Sequence, residues 1–284
     1  MVVGWIEAIR QDNRSGAAEL ARVAAEQLAR WAAGRSPEEI RLAARQLVRA
    51  QPRMAPMLHL ASAAVAEPQQ VARACERFLE RLTRGAEAAA ASAADLIRHD
   101  DVVATHSRSS TVLAALRRAA AQGKRFWVLL TESRPLAEGV TLARELAAAG
   151  IPVRLFTDAA VGWIASEART VLVGADAVTQ EAVVNKVGTW PLALAARERA
   201  VPAYALATGE KLVPPDYELP PEPMRDPEEI LPAAPTGVEV VNRYFEPTPL
   251  DLFAGVITEE GILEPDAVRR RLAHLRLPAG LDLP

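Results

Sequence analysis

Residues 101–132, DVVATHSRSSTVLAALRRAAAQGKRFWVLLTE, decide the fold. Two short β-rich runs, DVVATH and RFWVLLTE, flank TVLAALRRAAAQG, a segment with the length and composition of a crossover helix. The same alternation continues downstream. PVRLFTD, TVLVGAD and PAYALAT read as further strands, with LAEGVTLARELAAAG, AAVGWIASEA and WPLALAARERA as the intervening helices. VEVVN and AGVITEEG are expected to add strands near the C-terminus. Strand, helix, strand in this order specifies a parallel sheet covered on both faces. Ligands of open sheets of this kind bind outside the carboxyl ends of the strands, so the residues after each run are the ones to read for chemistry.

Upstream the pattern is different. Residues 1–98 are rich in Ala, Leu, Arg, Glu and Gln, and apolar positions recur at helical spacing in AAELARVAAEQLARWAAG and EEIRLAARQLVRAQP. A helical N-terminal domain is expected over 1–98 and an α/β ligand-binding domain over 99–284. Gly34 marks the tail of one helix; Ser36 is placed to cap the next, with Pro37 at its first position. Residues 213–235 contain eight prolines, too many for a regular helix or an interior strand. They are expected to form an ordered strap across the α/β domain or a dimer surface.

The formal net charge is −3, so the molecule lacks the broad positive field that draws nucleic acid, and any anion must be held by a few local cations. Cys75 is the only cysteine, and its setting on an amphipathic helix makes it a packing residue rather than half of a disulfide. The N-terminal MVVGWIEAIRQDNRSG has no basic start, apolar run or cleavage site, and no stretch has the length of a membrane span. A cytoplasmic protein without membrane attachment is expected.

At the strand ends, Thr105-His106-Ser107-Arg108-Ser109-Ser110-Thr111 leads straight into a helix. Hydroxyls, free N–H groups and Arg108 at a helix N-terminus form a phosphate cradle, although a serine-rich cap would need only one of these residues. Glu132 and Arg134 follow the second strand, where they either serve a ligand or pair with each other. Asp176 follows the fourth, and Asn185-Lys186-Val187-Gly188-Thr189 precedes a helix. Arg108, Arg134 and Lys186 are expected to touch a phosphate ester.

The ordered set THSRSS, TESRP with a later Gly, DAAVGWI, VGAD, NKVGT, VNRYFEPTP and VITEEG resembles one superfamily. Its members are ribose 1,5-bisphosphate isomerase, methylthioribose 1-phosphate isomerase and the alpha, beta and delta subunits of eukaryotic translation initiation factor 2B. The resemblance runs from about residue 10 to the C-terminus. It implies a Rossmann-like doubly wound sheet behind the helical bundle, a homodimer, and a pocket for a phosphorylated sugar or nucleotide that needs neither metal nor cofactor. It also implies a catalytic role for Asp176, with Ser107 standing where the isomerases have a catalytic cysteine. Asn185 and Lys186 match their substrate-holding pair, and Lys211 a further substrate lysine. Arg14, Gly16 and Ala17 fall in an altered version of their phosphate loop, and Gln51-Pro52 stands where they have Arg-Pro. His106, Arg108, Ser109 and Arg134 complete the expected substrate contacts. A thiol is readily tuned into an acid or base near neutral pH, whereas a serine hydroxyl needs an activating partner. Three readings follow: an aldose–ketose isomerase with an altered catalytic pair, a non-catalytic sensor of a sugar phosphate or nucleotide, and a translation-factor subunit.

Overall fold

The structure is a computed structural model that describes residues 4–281; Met1–Val3, the start of the N-terminal stretch read above, and residues 282–284 lie outside the described residues. Five helices come first: α1 (Gly4–Gln11), α2 (Ala17–Trp31), α3 (Pro37–Ala50), α4 (Ala55–Ala66) and α5 (Val71–Leu96). Ser36 opens α3 through a capping box. Its Oγ accepts from the Glu39 amide at 3.3 Å, and the Glu39 carboxylate accepts from the Ser36 amide at 2.8 Å. The apolar stripes of these helices meet in one core that includes Ile6, Leu20, Leu28, Leu47, Met57 and Phe78. Cys75 is buried in it, and burial pushes its thiol up to about 12, which leaves it an inert packing group. Among the described residues no helix is long and apolar enough to cross a membrane.

The second layer begins with β1 (Asp101–Thr105) and α6 (Ser110–Ala121), and continues through β2 (Phe126–Thr131), α7 (Glu138–Ala148) and β3 (Val153–Phe156). After α8 (Val161–Glu167) and β4 (Thr170–Gly174) the chain makes β5 (Ala177–Val178), β6 (Ala182–Lys186), α9 (Thr189–Glu198) and β7 (Ala203–Leu206). It ends with β8 (Phe245–Pro249), β9 (Gly255–Thr258), β10 (Gly261–Leu263) and α10 (Pro265–Ala273). The main sheet has the order β10-β9-β7-β4-β1-β2-β3, parallel throughout except for the β9–β10 hairpin. Outward from β1 the chain winds one way through β2 and β3 and the other way through β4, β7 and β9, the doubly wound arrangement. Its switch point lies between β1 and β4.

The fold departs from the simple strand–helix alternation at two places. Residues 238–242, VEVVN, form no strand: Val238 and Val241 are half exposed, and the chain stays irregular until β8. Asn185 and Lys186 do not end a strand of the main sheet. They lie on β6, the middle strand of a small antiparallel sheet β5-β6-β8. Pro247 and Pro249 are tolerated in β8 because it is an edge strand.

The proline-rich segment after β7 is an ordered strap, pinned by side chains where prolines remove backbone donors. Tyr217 Oη donates to the Pro52 carbonyl at 3.2 Å and Arg53 to the Pro220 carbonyl at 2.6 Å. The buried Glu222 carboxylate lies between Arg53 at 3.2 Å and Arg225 at 3.3 Å. Farther on, Asn242 Nδ2 donates to the Asp226 carbonyl and to Glu229, which also accepts from Tyr244 Oη. This returns the chain to the small sheet beside Lys186.

Candidate functional site

One cleft opens at the switch point, between the carboxyl ends of β1 and β4. It is lined by the loop Asp12–Ala18, by Ser107–Ser110 after β1, by Gly174–Asp176 after β4, and by Asn185, Lys186 and Lys211. Glu138 at the start of α7 and Arg225 and Tyr244 from the strap complete its walls. Eight of the ten expected binding residues are thus brought together: Arg14, Gly16, Ala17, Arg108, Ser109, Asn185, Lys186 and Lys211. Both expected catalytic residues, Asp176 and Ser107, face the same space.

Gly174 is required because a Cβ there would stand 2.7 Å from the Ser109 Cβ. The glycine lets the helix α6 entry pack against the end of β4, which closes the distance between the two strand ends. Asp176 follows, its amide donating to the Val184 carbonyl and its own carbonyl accepting from Ala55. Burial pushes the Asp176 carboxyl above the usual carboxylate range, and neighbouring Glu138 adds to the rise. Lys211, Lys186 and a hydrogen bond from the Ala17 amide pull the other way. Lys211 is only 5% exposed, and burial lowers its pKa against the opposing pull of Asp176.

Lys186 is equally buried. Its ammonium pairs with Glu138 and lies 4.7 Å from the centre of the Tyr244 ring. Asn185 Nδ2 donates to Thr189 Oγ1 at 2.9 Å, and that hydroxyl donates to the Lys186 carbonyl, so the turn into α9 is fixed from within. Two helix N-termini face the cleft. Gly16 gives α2 no side-chain cap, which leaves its first amides to Asp176 and to any anion, while α6 is capped by Ser109.

Ser107 adopts a left-handed backbone, φ 62°, and its amide donates to Ser133 Oγ at 2.7 Å. Among the described residues no base is hydrogen-bonded to its hydroxyl. The neighbouring His106 is buried beneath the cleft, where its Nε2 donates to the Val187 carbonyl at 2.8 Å and its Nδ1 accepts from Thr131 Oγ1. Desolvation lowers its pKa to about 4. His106 is therefore not a substrate contact; it is a neutral strut beneath the floor of the site.

Arg134 also stands apart from the cleft. The Ser133 and Arg134 amides both donate to Asp158, and the Arg134 guanidinium turns outward to the Glu229 carbonyl. Nor does it pair with Glu132. Arg108 does line the cleft, but Glu145 engages it in a two-pronged ion pair with both contacts at 2.9 Å. Gln51 spends its amide on the carbonyls of Ile9, Arg10 and Asp12, which holds the loop leading to α2.

Residues 7–265 match the model of the initiation factor 2 subunit family. The chain belongs to that family. A translation initiation factor eIF-2B structure from Pyrococcus horikoshii superposes with a TM-score of 0.83 at 35% identity, covering 92% of this chain and 95% of that one. Ribose 1,5-bisphosphate isomerase of Archaeoglobus fulgidus is 34% identical over 277 residues, 92% of this chain and 88% of the relative. A putative translation initiation factor eIF-2B subunit 2-like protein of P. horikoshii is 41% identical over 192 residues, 66% of this chain and 67% of the relative. The family thus spans isomerases and factor-like proteins, and both kinds of relative align with this chain.

Reading strand ends missed three wall residues of this family member. Glu138 immediately precedes Gly139, whose Cβ would fall 1.9 Å from the Thr131 carbonyl oxygen. That tight passage sets where α7 begins, and it was the local signal for Glu138. Arg225 and Tyr244 come from the strap, about 40 and about 60 residues beyond the Asn-Lys pair, and nothing local marks them as site residues.

Proposed function

We propose that this chain binds a phosphorylated sugar in the switch-point cleft and interconverts an aldose 1-phosphate with a ketose phosphate, with Asp176 carrying the proton. The observation behind this reading is the Asp176 carboxyl in the cleft wall, where burial, reinforced by Glu138, outweighs the opposing pull of Lys211, Lys186 and the Ala17 amide, so that it holds a proton above the usual carboxylate range. A phosphate on the anomeric oxygen blocks spontaneous ring opening. In the proposed step Asp176 protonates the ring oxygen and the bond from C1 to that oxygen breaks. The C2 hydrogen moves to C1 with its electron pair, and the C2 hydroxyl proton goes to the vacated carboxylate. One proton enters and one leaves, so no redox partner or cofactor is required.

Ser107 orients a hydroxyl toward the substrate and transfers no proton, because His106 is turned away from it. That same observation favours a second reading, a sensor that binds the sugar phosphate without converting it. The test is to incubate the protein with ribose 1-phosphate, methylthioribose 1-phosphate and ribose 1,5-bisphosphate and follow ketone formation. Wild type should turn over at least one of them, Asp176→Asn should lose about 10²–10⁴ in rate, and Ser107→Cys should be at least as fast. Binding by a wild type that never turns over, with Ser107→Cys inert as well, selects the sensor.

We also propose a homodimer in the cytoplasm. Its support is an apolar surface on neighbouring helices α8 and α9, where Trp163, Trp190 and Leu194 are exposed. The apolar segment 253–257 adds nothing to such a face, because Phe253, Val256 and Ile257 are all buried in the chain's own core.

A further inference from the structure

The side chains lining the cleft carry only a small excess of positive charge. Five cations line it, Arg14, Arg108, Lys186, Lys211 and Arg225, against three carboxylates, Asp12, Glu138 and Asp176, an excess of two. Each cation also has a carboxylate close by. Lys186 pairs with Glu138, Arg108 with Glu145 at 2.9 Å, and Arg225 with Glu222 at 3.3 Å, while Lys211 and Arg14 interact electrostatically with Asp176 and Asp12. A phosphomonoester carries about −1.5 to −2 at neutral pH. One such group fits the excess and the two helix N-termini; two would bring about −4 into a cleft whose cations are committed.

Glu138 is the residue that tips this count. One of its carboxylate oxygens is taken by Lys186, and the other, Oε2, is buried with no hydrogen-bond partner in the protein. A bare, buried carboxylate oxygen is costly, and it calls for a donor from whatever enters the cleft. A sugar hydroxyl supplies one; a phosphate dianion is repelled.

We propose that Glu138 determines specificity by neutralising Lys186 and accepting a sugar hydroxyl, so that the ligand class is a sugar bearing a single phosphate rather than a bisphosphate. This rests on the phosphorylated-sugar reading above, and binding measurements separate the two claims. Calorimetric titration of the whole chain with ribose 1-phosphate and with ribose 1,5-bisphosphate should give affinity for the monophosphate at least equal to that for the bisphosphate. Glu138→Gln frees Lys186 and should move the ratio toward the bisphosphate by about tenfold or more. Tighter wild-type binding of the bisphosphate, or a ratio that Glu138→Gln leaves unmoved, overturns the proposal while the sugar-phosphate reading stands. Failure of both ligands to bind at millimolar concentration overturns both. Should Glu138→Gln not fold, Glu145→Gln, which releases Arg108, must shift the ratio in the same direction, and no shift there also overturns it.

Discussion

His106 is fixed as a neutral imidazole from both ring nitrogens, with the Val187 carbonyl on one side and the Thr131 hydroxyl on the other. Burial makes a charge on this ring costly, and nearby Lys186 adds to the cost, which is why the folded value falls to about 4 from the ordinary 6.5. The unfolded chain therefore binds this proton at higher pH than the folded one, and stability is lost as pH falls from about 6.5 to about 4. The loss amounts to roughly 3 kcal/mol at the bottom of that window. Asp176, whose folded value is raised, slopes the opposite way: stability falls as pH rises from the ordinary carboxylate value. Comparing urea unfolding of wild type and His106→Gln across pH 4–7 isolates the histidine. The variant should show a visibly flatter profile, and parallel profiles would refute the assignment.

The turn between β6 and α9 connects this strut to the cleft. Gly188 sits there at φ 107°, and a Cβ on it would lie 2.6 Å from His106 Cε1. Its amide and that of Trp190 both donate to the Glu246 carboxylate, which caps α9 from β8. Gly188→Ala should cost about 2 kcal/mol or more in chemical denaturation, from the left-handed backbone alone, and further for the displaced ring. Because Lys186 lies two residues upstream, sugar-phosphate binding should weaken as well. The parallel strands of the main sheet were legible because β4, buried along its whole length, reads as an unbroken apolar run. Ser107 and Asp176 could be read at its edge for the same reason: ends of parallel strands converge on one rim. The small sheet was not legible. β5 has two residues, β8 is FEPTP, and strands this short with prolines carry no period-2 pattern. VEVVN shows the reverse error, β-like residues without a neighbouring strand to pair with. Arg134 was misassigned because a cation after a strand fixes its backbone position and not the direction of a four-bond side chain, and here the strap draws it outward.

On the scale of the whole molecule, the exposed Trp163, Trp190 and Leu194 lie on one side of the α/β layer. Sedimentation at micromolar concentration should show a dimer, and the pair Trp163→Glu with Leu194→Glu should shift it to monomer while the far-ultraviolet spectrum stays unchanged. A wild type that remains monomeric removes this face from the proposal. Within one chain, α5 runs for 26 residues, about 39 Å at 1.5 Å per residue. Its first half buries Val71, Cys75, Phe78 and Leu82 among the other helices. Its second half buries Ala89, Ala90, Ala93 and Ala94 against the sheet. Neither layer can melt without stripping half of this helix of its cover, and a lone helical segment is marginal in water. The two layers are thereby tied into one cooperative folding unit, so heat or denaturant should find a single transition rather than two.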